Sequence, residues 1–383
     1  MLAAPAVSDA PVASKGAIRI AIDVRPLSGA PCGYTIYLCS VIECLRKGDF
    51  ALTLLSNQPL LPHYTEVAGL DMRVFGDQGP LRWEQRALPR HLAGSDYDVY
   101  FTGANRGIPL RKAGHVRYVL GLLDVIPYLF FRHYHLRHWK RLLRHPSANA
   151  ETVAQLIAVA RADAILTISQ QSAIDIRRVF HRRDVTACLI RLKDVDRQAP
   201  VAPRDQFVYV GGVDFRKKVN VLLEGFARFV RDHPDYRLVL VGSNYAALQP
   251  QIDALALGER VVLTGYVDHD TKFRILSESR AMVYPSLYEG YGMAIAEGFQ
   301  AGIPVIAGFG GSQAEVGGRG ARLIDPSSAE DIAAAMAEML DPETRANWVD
   351  QGQKQFQRLT DPAIETTLID YFVKQGHLAR RRS

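Results

Sequence analysis

At 383 residues, with 48% hydrophobic and 22% charged residues, the chain is too long for one ordinary core and suits two soluble α/β domains. The four cysteines (Cys32, Cys39, Cys44, Cys188) show neither a C-x-x-C pair nor a His-rich metal spacing, so reduced thiols are the expectation and no metal site is indicated. A net charge of +6 leaves nucleic acid, an anionic membrane and a phosphorylated substrate open as partners.

Residues 1–16 (MLAAPAVSDAPVASKG) lack a basic start and a continuous apolar core, and read as a flexible tail rather than a signal peptide. No apolar run is long enough to span a bilayer. Ile18–Val24 reads as a first strand, followed by the loop RPLSGAPCGYT and an apolar helical pattern through Ile36, Leu38, Val41, Ile42 and Leu45. Strand, glycine-containing loop and helix open a Rossmann-like half. Further strands are expected at Phe50–Leu55, Met72–Phe75, Asp98–Thr102, Val116–Leu122 and Ala164–Ile168, with helical patterns between most of them, which argues for a parallel sheet. No G-x-G-x-x-G follows the first strand, so a dinucleotide cofactor is not expected there.

Phe130–His145 (FFRHYHLRHWKRLLRH) mixes Arg132, Arg137, Lys140, Arg141 and Arg144 with aromatic and leucine residues and holds no acid. Such a segment is either a solvated basic helix face or a helix that lies on an anionic membrane, each exposed cation then contributing about 1 kcal/mol. Trp83-Glu84-Gln85 reads as a core tryptophan or an acceptor-side element.

Charge and two prolines in Arg191–Gln206 mark a linker, giving an N-terminal domain over 17–190, a hinge over 191–206, a second domain over 207–360 and a terminal helix with a basic tail over 361–383. The terminal helix is expected to open at Asp361 and is compatible with a return to the first domain. In the second domain, strands at Phe207–Gly211, Leu238–Val241, Val261–Leu263, Ala281–Tyr284 and Val305–Ala307 alternate with helices. One helix carries a stripe of Leu222, Leu223, Phe226, Phe229 and Val230, and another is capped by Ser328 with Asp331.

Two strand-to-helix turns of this domain carry the candidate chemistry. In GGVDFRKKVN (Gly211–Asn220), Arg216 and Lys217 follow a parallel strand, where open α/β sheets bind ligands. In Tyr284–Ala307 (YPSLYEGYGMAIAEGFQAGIPVIA), a loop with Gly290 and Gly292 enters a small-residue helix. Glycines there admit close approach of an anion to backbone N–H groups, and the helix start adds unpaired donors and positive potential. Glu289 and Glu297 flank that cradle.

Glu289 and Glu297, spaced E-x7-E within PSLYEGYGMAIAEGFQAGIPVI, resemble the signature of the retaining GT-B glycosyltransferases of the large family four, the glycosyl transferases group 1. Supporting likenesses are RADAILTISQQSAIDI (Arg161–Ile176), LTGYVDHD (Leu263–Asp270), GSQAEVGGRGARLIDP (Gly311–Pro326) and the glycine loop RPLSGAPCGY. The resemblance implies an α/β fold with two Rossmann-like domains facing each other across a cleft. It also implies a sugar moved with retention from a nucleotide diphosphate donor, UDP-, GDP- or dTDP-linked, to a lipid-linked or polysaccharide acceptor.

By the resemblance, Arg216 and Lys217, with Gly212, clamp the diphosphate together with the amides around Gly290, Tyr291, Gly292 and Met293; Lys218 stands where a smaller residue is usual, which leaves the register open by one. Glu297 holds the ribose, Glu289 the sugar, the backbone of Tyr266 and Val267 the base, and the glycine loop at Gly33 and Tyr34 the acceptor side. No metal or other cofactor is implied. Where the family commonly has a His-Asp pair, this chain has Leu123 and Asp124, so the histidine's contribution is absent or supplied from elsewhere, with Asp124 the candidate. A nucleotide-sugar epimerase of the same architecture and a catalytically weak nucleotide-sugar-binding protein are the alternatives. A nucleic-acid partner is not expected, and a cytoplasmic protein, peripheral to the inner face of a membrane, is.

Overall fold

Ile18–Asp23 (β1) reads IRIAID, apolar on both faces with one exposed residue, as a strand covered on both sides must be. In the computed structural model, which describes residues 14, 16–29, 32–62, 64–76, 79–130, 146–192 and 202–382, it is the centre of a parallel sheet. Most of the N-terminal tail, residues 193–201 of the expected hinge and residues 131–145 of the basic segment lie outside the described residues.

The chain divides into two compact units, Met1–Arg191 with Pro362–Ser383, and Leu192–Asp361. The first unit adds Phe50–Ser56 (β2), Asp71–Val74 (β3), Val99–Thr102 (β4), Arg117–Gly121 (β5), Ala164–Thr167 (β6) and Val185–Ala187 (β7), in the order β3-β2-β1-β4-β5-β6-β7. Every pairing is parallel, so each connection must cross a face, and helices such as Gly33–Leu45 do so. The terminal helix Ala363–Arg380 belongs to this unit. Phe372 meets Phe101 of β4 edge-on at 5.3 Å, and Arg380 pairs with Asp98 at 3.0 Å. Its N-cap is Pro362 rather than Asp361, and the cap makes no side-chain hydrogen bond. Pro362, its φ held near −55° by the ring, already lies in the helical region and takes the N-cap place expected of Asp361.

The second unit orders Gln206–Val210 (β8), Arg237–Val241 (β9), Val261–Gly265 (β10), Ala281–Tyr284 (β11), Val305–Gly308 (β12) and Ala321–Ile324 (β13) as β10-β9-β8-β11-β12-β13, again all parallel. The helix Val219–Phe229 buries Leu222, Leu223, Phe226 and Phe229 as its stripe requires, while Val230 is its half-buried C-cap. Ser328 caps Ala329–Glu338 by accepting the Asp331 N–H at 3.1 Å. In each unit the strand order reverses once, between β1 and β4 and between β8 and β11. A doubly wound sheet opens a crevice at such a point, beyond the strands' carboxyl ends.

Candidate functional site

The turn after β8 is built by close backbone approach. A Cβ on Gly242, after β9, would lie 2.1 Å from the Gly211 carbonyl oxygen, so only glycine lets these two strand ends meet. Tyr209 donates to the Gly212 carbonyl at 2.8 Å and Tyr245 to that of Gly211, which fixes the path of the chain into Asp214. Asp214 accepts the Arg216 N–H at 3.0 Å and caps the short helix Phe215–Lys217. Lys218 then takes a left-handed conformation (φ +51°) and starts the next helix, so the lysine turned inward is Lys217.

Across the switch point, the loop after β11 brings Glu289 to that lysine. Glu289 Oε1 accepts from Ser286 Oγ at 2.6 Å, Lys217 Nζ at 2.7 Å, Tyr284 OH at 3.0 Å and Arg216 Nη1 at 3.2 Å. Lys217 Nζ also donates to the Tyr284 hydroxyl and sits 4.5 Å from the centre of its ring. The three charged side chains are only 12–15% exposed. Burial alone would raise the Glu289 pKa, but Lys217 and Arg216 outweigh it and hold the carboxyl below the usual range; burial pulls Lys217 down against the same pairing.

A second glycine loop holds Glu289 from behind. Ser312 donates its N–H and its hydroxyl to the Glu289 carbonyl, both at 3.0 Å, and Gln313 Nε2 donates to the Ser286 carbonyl at 2.7 Å. A Cβ on Gly310 would stand 1.9 Å from the Leu287 carbonyl oxygen, so the loop of residues 308–312 packs backbone to backbone. Gly290, Tyr291 and Gly292 are buried and Met293 half-buried; Gly292 (φ +95°) turns the chain into Met293–Gln300, whose N-terminus has no side-chain cap. An uncapped helix start of this kind favours an anion.

Glu297 stands apart from this cluster. It is half-buried and accepts from Lys272 Nζ at 2.7 Å, a partner from the helix His269–Ser277 that the sequence reading did not name. The same helix, capped by Asp268, follows Tyr266 and Val267 at the end of β10; Tyr266 is exposed and Val267 half-buried.

In the first unit, Gly33 begins the helix Gly33–Leu45, and Asn105, also unnamed in the sequence reading, joins two expected segments. Its amide donates to Tyr34 OH at 2.6 Å and its carbonyl accepts the Leu123 N–H at 3.0 Å, while Asp124 beside it accepts the Ile126 N–H at 3.1 Å. Leu123 itself is buried. Asn105 has φ +59°, which asparagine tolerates better than alanine. Asn105→Ala is expected to cost about 1–2 kcal/mol in urea unfolding, with Asn105→Gly recovering the backbone part of that loss. The same unit holds a largely buried ion network: Arg25 meets Asp23 at 2.6 Å and Glu84 at 3.1 Å, and the half-buried Arg106 meets Glu84 at 2.8 Å.

The family model described as Glycosyl transferases group 1 matches residues 193–355. That stretch, less than half of the chain, carries the likeness to the glycosyl transferases group 1 family. Over similar lengths the chain is 27% identical to O-antigen chain mannosyltransferase B of Escherichia coli (47% of this chain, 52% of the relative) and 28% identical to α-D-kanosaminyltransferase of Streptomyces kanamyceticus (53% and 60%). The chain thus spans little more than half the length of these curated relatives. Among solved structures it is similar to Anabaena HepE in complex with UDP-glucose, with a TM-score of 0.71 at 17% identity, covering 93% of this chain and all of that one. Sucrose-phosphate synthase from Thermosynechococcus elongatus gives 0.69 at 18% identity, covering 93% and 98%. These likenesses carry the fold, which is of the GT-B class with two parallel-sheet α/β domains.

Within the matched stretch the ends of β8 and β11 thus place two cations, Arg216 and Lys217, two carboxylates, Asp214 and Glu289, and an uncapped helix start close together. Such a set can hold a diphosphate and respond to charge that develops on it. Among the described residues, no three His, Cys, Asp or Glu side chains are grouped so as to hold a metal ion, and no helix is long and apolar enough to cross a membrane.

Proposed function

We propose that the protein is a retaining glycosyltransferase that moves a sugar from a nucleotide diphosphate donor, bound by the group 1 domain, to an acceptor bound by the first unit. The observation that carries this reading is the convergence of Arg216 and Lys217 on Glu289 beside the open N-terminus of Met293–Gln300. As the bond between the anomeric carbon and the diphosphate oxygen breaks, negative charge grows on the leaving group. Cations already fixed there stabilise the transition state more than the ground state. Arg216, Lys217 and the helix start supply this without a metal, Glu289 meets the sugar, and Glu297, steadied by Lys272, takes the ribose hydroxyls.

The names of the mannosyl- and kanosaminyltransferase relatives support transfer over epimerisation. The HepE structure with UDP-glucose supports a nucleotide-sugar donor. The O-antigen relative and the basic Phe130–His145 segment support a lipid-linked or polysaccharide acceptor, used by a cytoplasmic enzyme at an anionic membrane face.

A thermal-shift screen against UDP-, GDP- and dTDP-sugars tests the donor. A ligand at about a hundred times its Kd adds about 2.7 kcal/mol to the folded state, so one nucleotide class is expected to raise Tm by several degrees. If no nucleotide sugar raises it, the donor assignment is wrong.

A further inference from the structure

The first unit carries a cluster of three arginines on one helical stretch. Residues 80–93 form one helical stretch whose middle, Trp83–Ala87, is a π-turn in which the Leu88 N–H reaches the Trp83 carbonyl. Pro89 explains the widening: it has no N–H to give the Gln85 carbonyl and its ring would crowd that oxygen. In a regular helix, residues four apart drift by about 40°. The wider turn takes back part of that drift and keeps Arg82, Arg86 and Arg90 on one side, where all three line a cavity of about 520 Å³ with Phe75, Ala87 and His91.

Several arginines of this unit are paired with acids: Arg25 and Arg106 with Glu84, Arg182 with Asp184, Arg380 with Asp98. Among the described residues, Arg82, Arg86 and Arg90 have no acidic partner, although three like charges on one cavity repel. The Nε2 of His91 is buried with no hydrogen-bond partner, and its ring stands edge-on to Phe75 at 4.8 Å. Three guanidinium forks beside an apolar wall fit an oxyanion joined to an organic body. The volume suits a small molecule.

We propose that this cavity binds the phosphate group of a phosphorylated compound, an inference that does not depend on the donor site. Two sources share that chemistry, a soluble phosphate ester and a phospholipid headgroup.

The test is phenylglyoxal footprinting of the full chain, read peptide by peptide by mass spectrometry, with the exposed Arg231 and Arg319 as internal controls. Inorganic pyrophosphate or glucose 1-phosphate is expected to slow modification of Arg82, Arg86 and Arg90 by about tenfold relative to the controls. Protection by these soluble probes and not by vesicles assigns a soluble ligand. Protection by phosphatidylglycerol vesicles, and not by phosphatidylcholine vesicles, assigns a headgroup. If neither arm protects the three arginines, or if the controls are protected equally, the proposal is overturned.

Discussion

Lys217→Ala is expected to lower release of nucleoside diphosphate by about 10²–10³-fold, measured with the donor that the thermal-shift screen selects. Lys217 Nζ is buried and held in place before any charge develops, by Glu289 at 2.7 Å and by the Tyr284 ring and hydroxyl. A cation held this way needs no reorganisation as the leaving diphosphate gains charge, and in a site this dry its field is weakly screened. The loss should fall on kcat more than on KM, because the interaction strengthens as the bond breaks. The fold should survive, since Glu289 keeps Arg216, Ser286 and Tyr284 as donors. A variant that binds the donor more weakly but turns over at the parental rate would show that Lys217 only anchors substrate.

Much of this domain was legible in the sequence because buried parallel strands read as unbroken apolar runs, as in Ala281–Tyr284. Val185–Ala187 and Ala321–Ile324 escaped notice because they are three and four residues long and carry polar side chains. Arg216, Lys217 and Glu289 stood out one at a time from their turns. Their mutual contact did not, since it depends on how the loop after β11 is pressed back by residues 308–312, and that follows from carbonyl contacts at Gly308 and Gly310 rather than from any pattern. GFGGS after a strand is the signal that would have found it.

In the first unit the losses have a similar cause. Asp23, Arg25, Glu84 and Arg106 come from separate segments, and no period or spacing links them. Leu123 read as a missing histidine; the structure adds that Leu123 is buried and that Asn105, a side chain from the preceding strand-end loop, holds its N–H. Pro89 was passed over in the sequence, and the π-turn is its consequence.

Glu289→Ala is expected to cost about 3–5 kcal/mol of unfolding free energy, the largest loss of stability among these substitutions, because it leaves Lys217 buried without its paired carboxylate beside Arg216, which keeps only Asp214 at 3.2 Å. Glu289→Gln should cost less, since an amide oxygen still accepts from Ser286 and Tyr284. The acid side of the stability profile separates this account from simple loss of packing. The Glu289 carboxyl titrates below its ordinary value in the folded protein, so between that lowered value and the ordinary one the unfolded chain binds the extra proton. The stability Glu289 contributes is therefore fully present above the ordinary carboxylate pKa and is lost as pH falls through the lowered one. Guanidinium unfolding of parent and Glu289→Gln from neutral pH to below pH 4.5 should show the difference between them shrinking as the solution is acidified. A difference that holds constant across that range would mean that the carboxylate's charge, and hence its pairing with Lys217 and Arg216, contributes nothing to the domain.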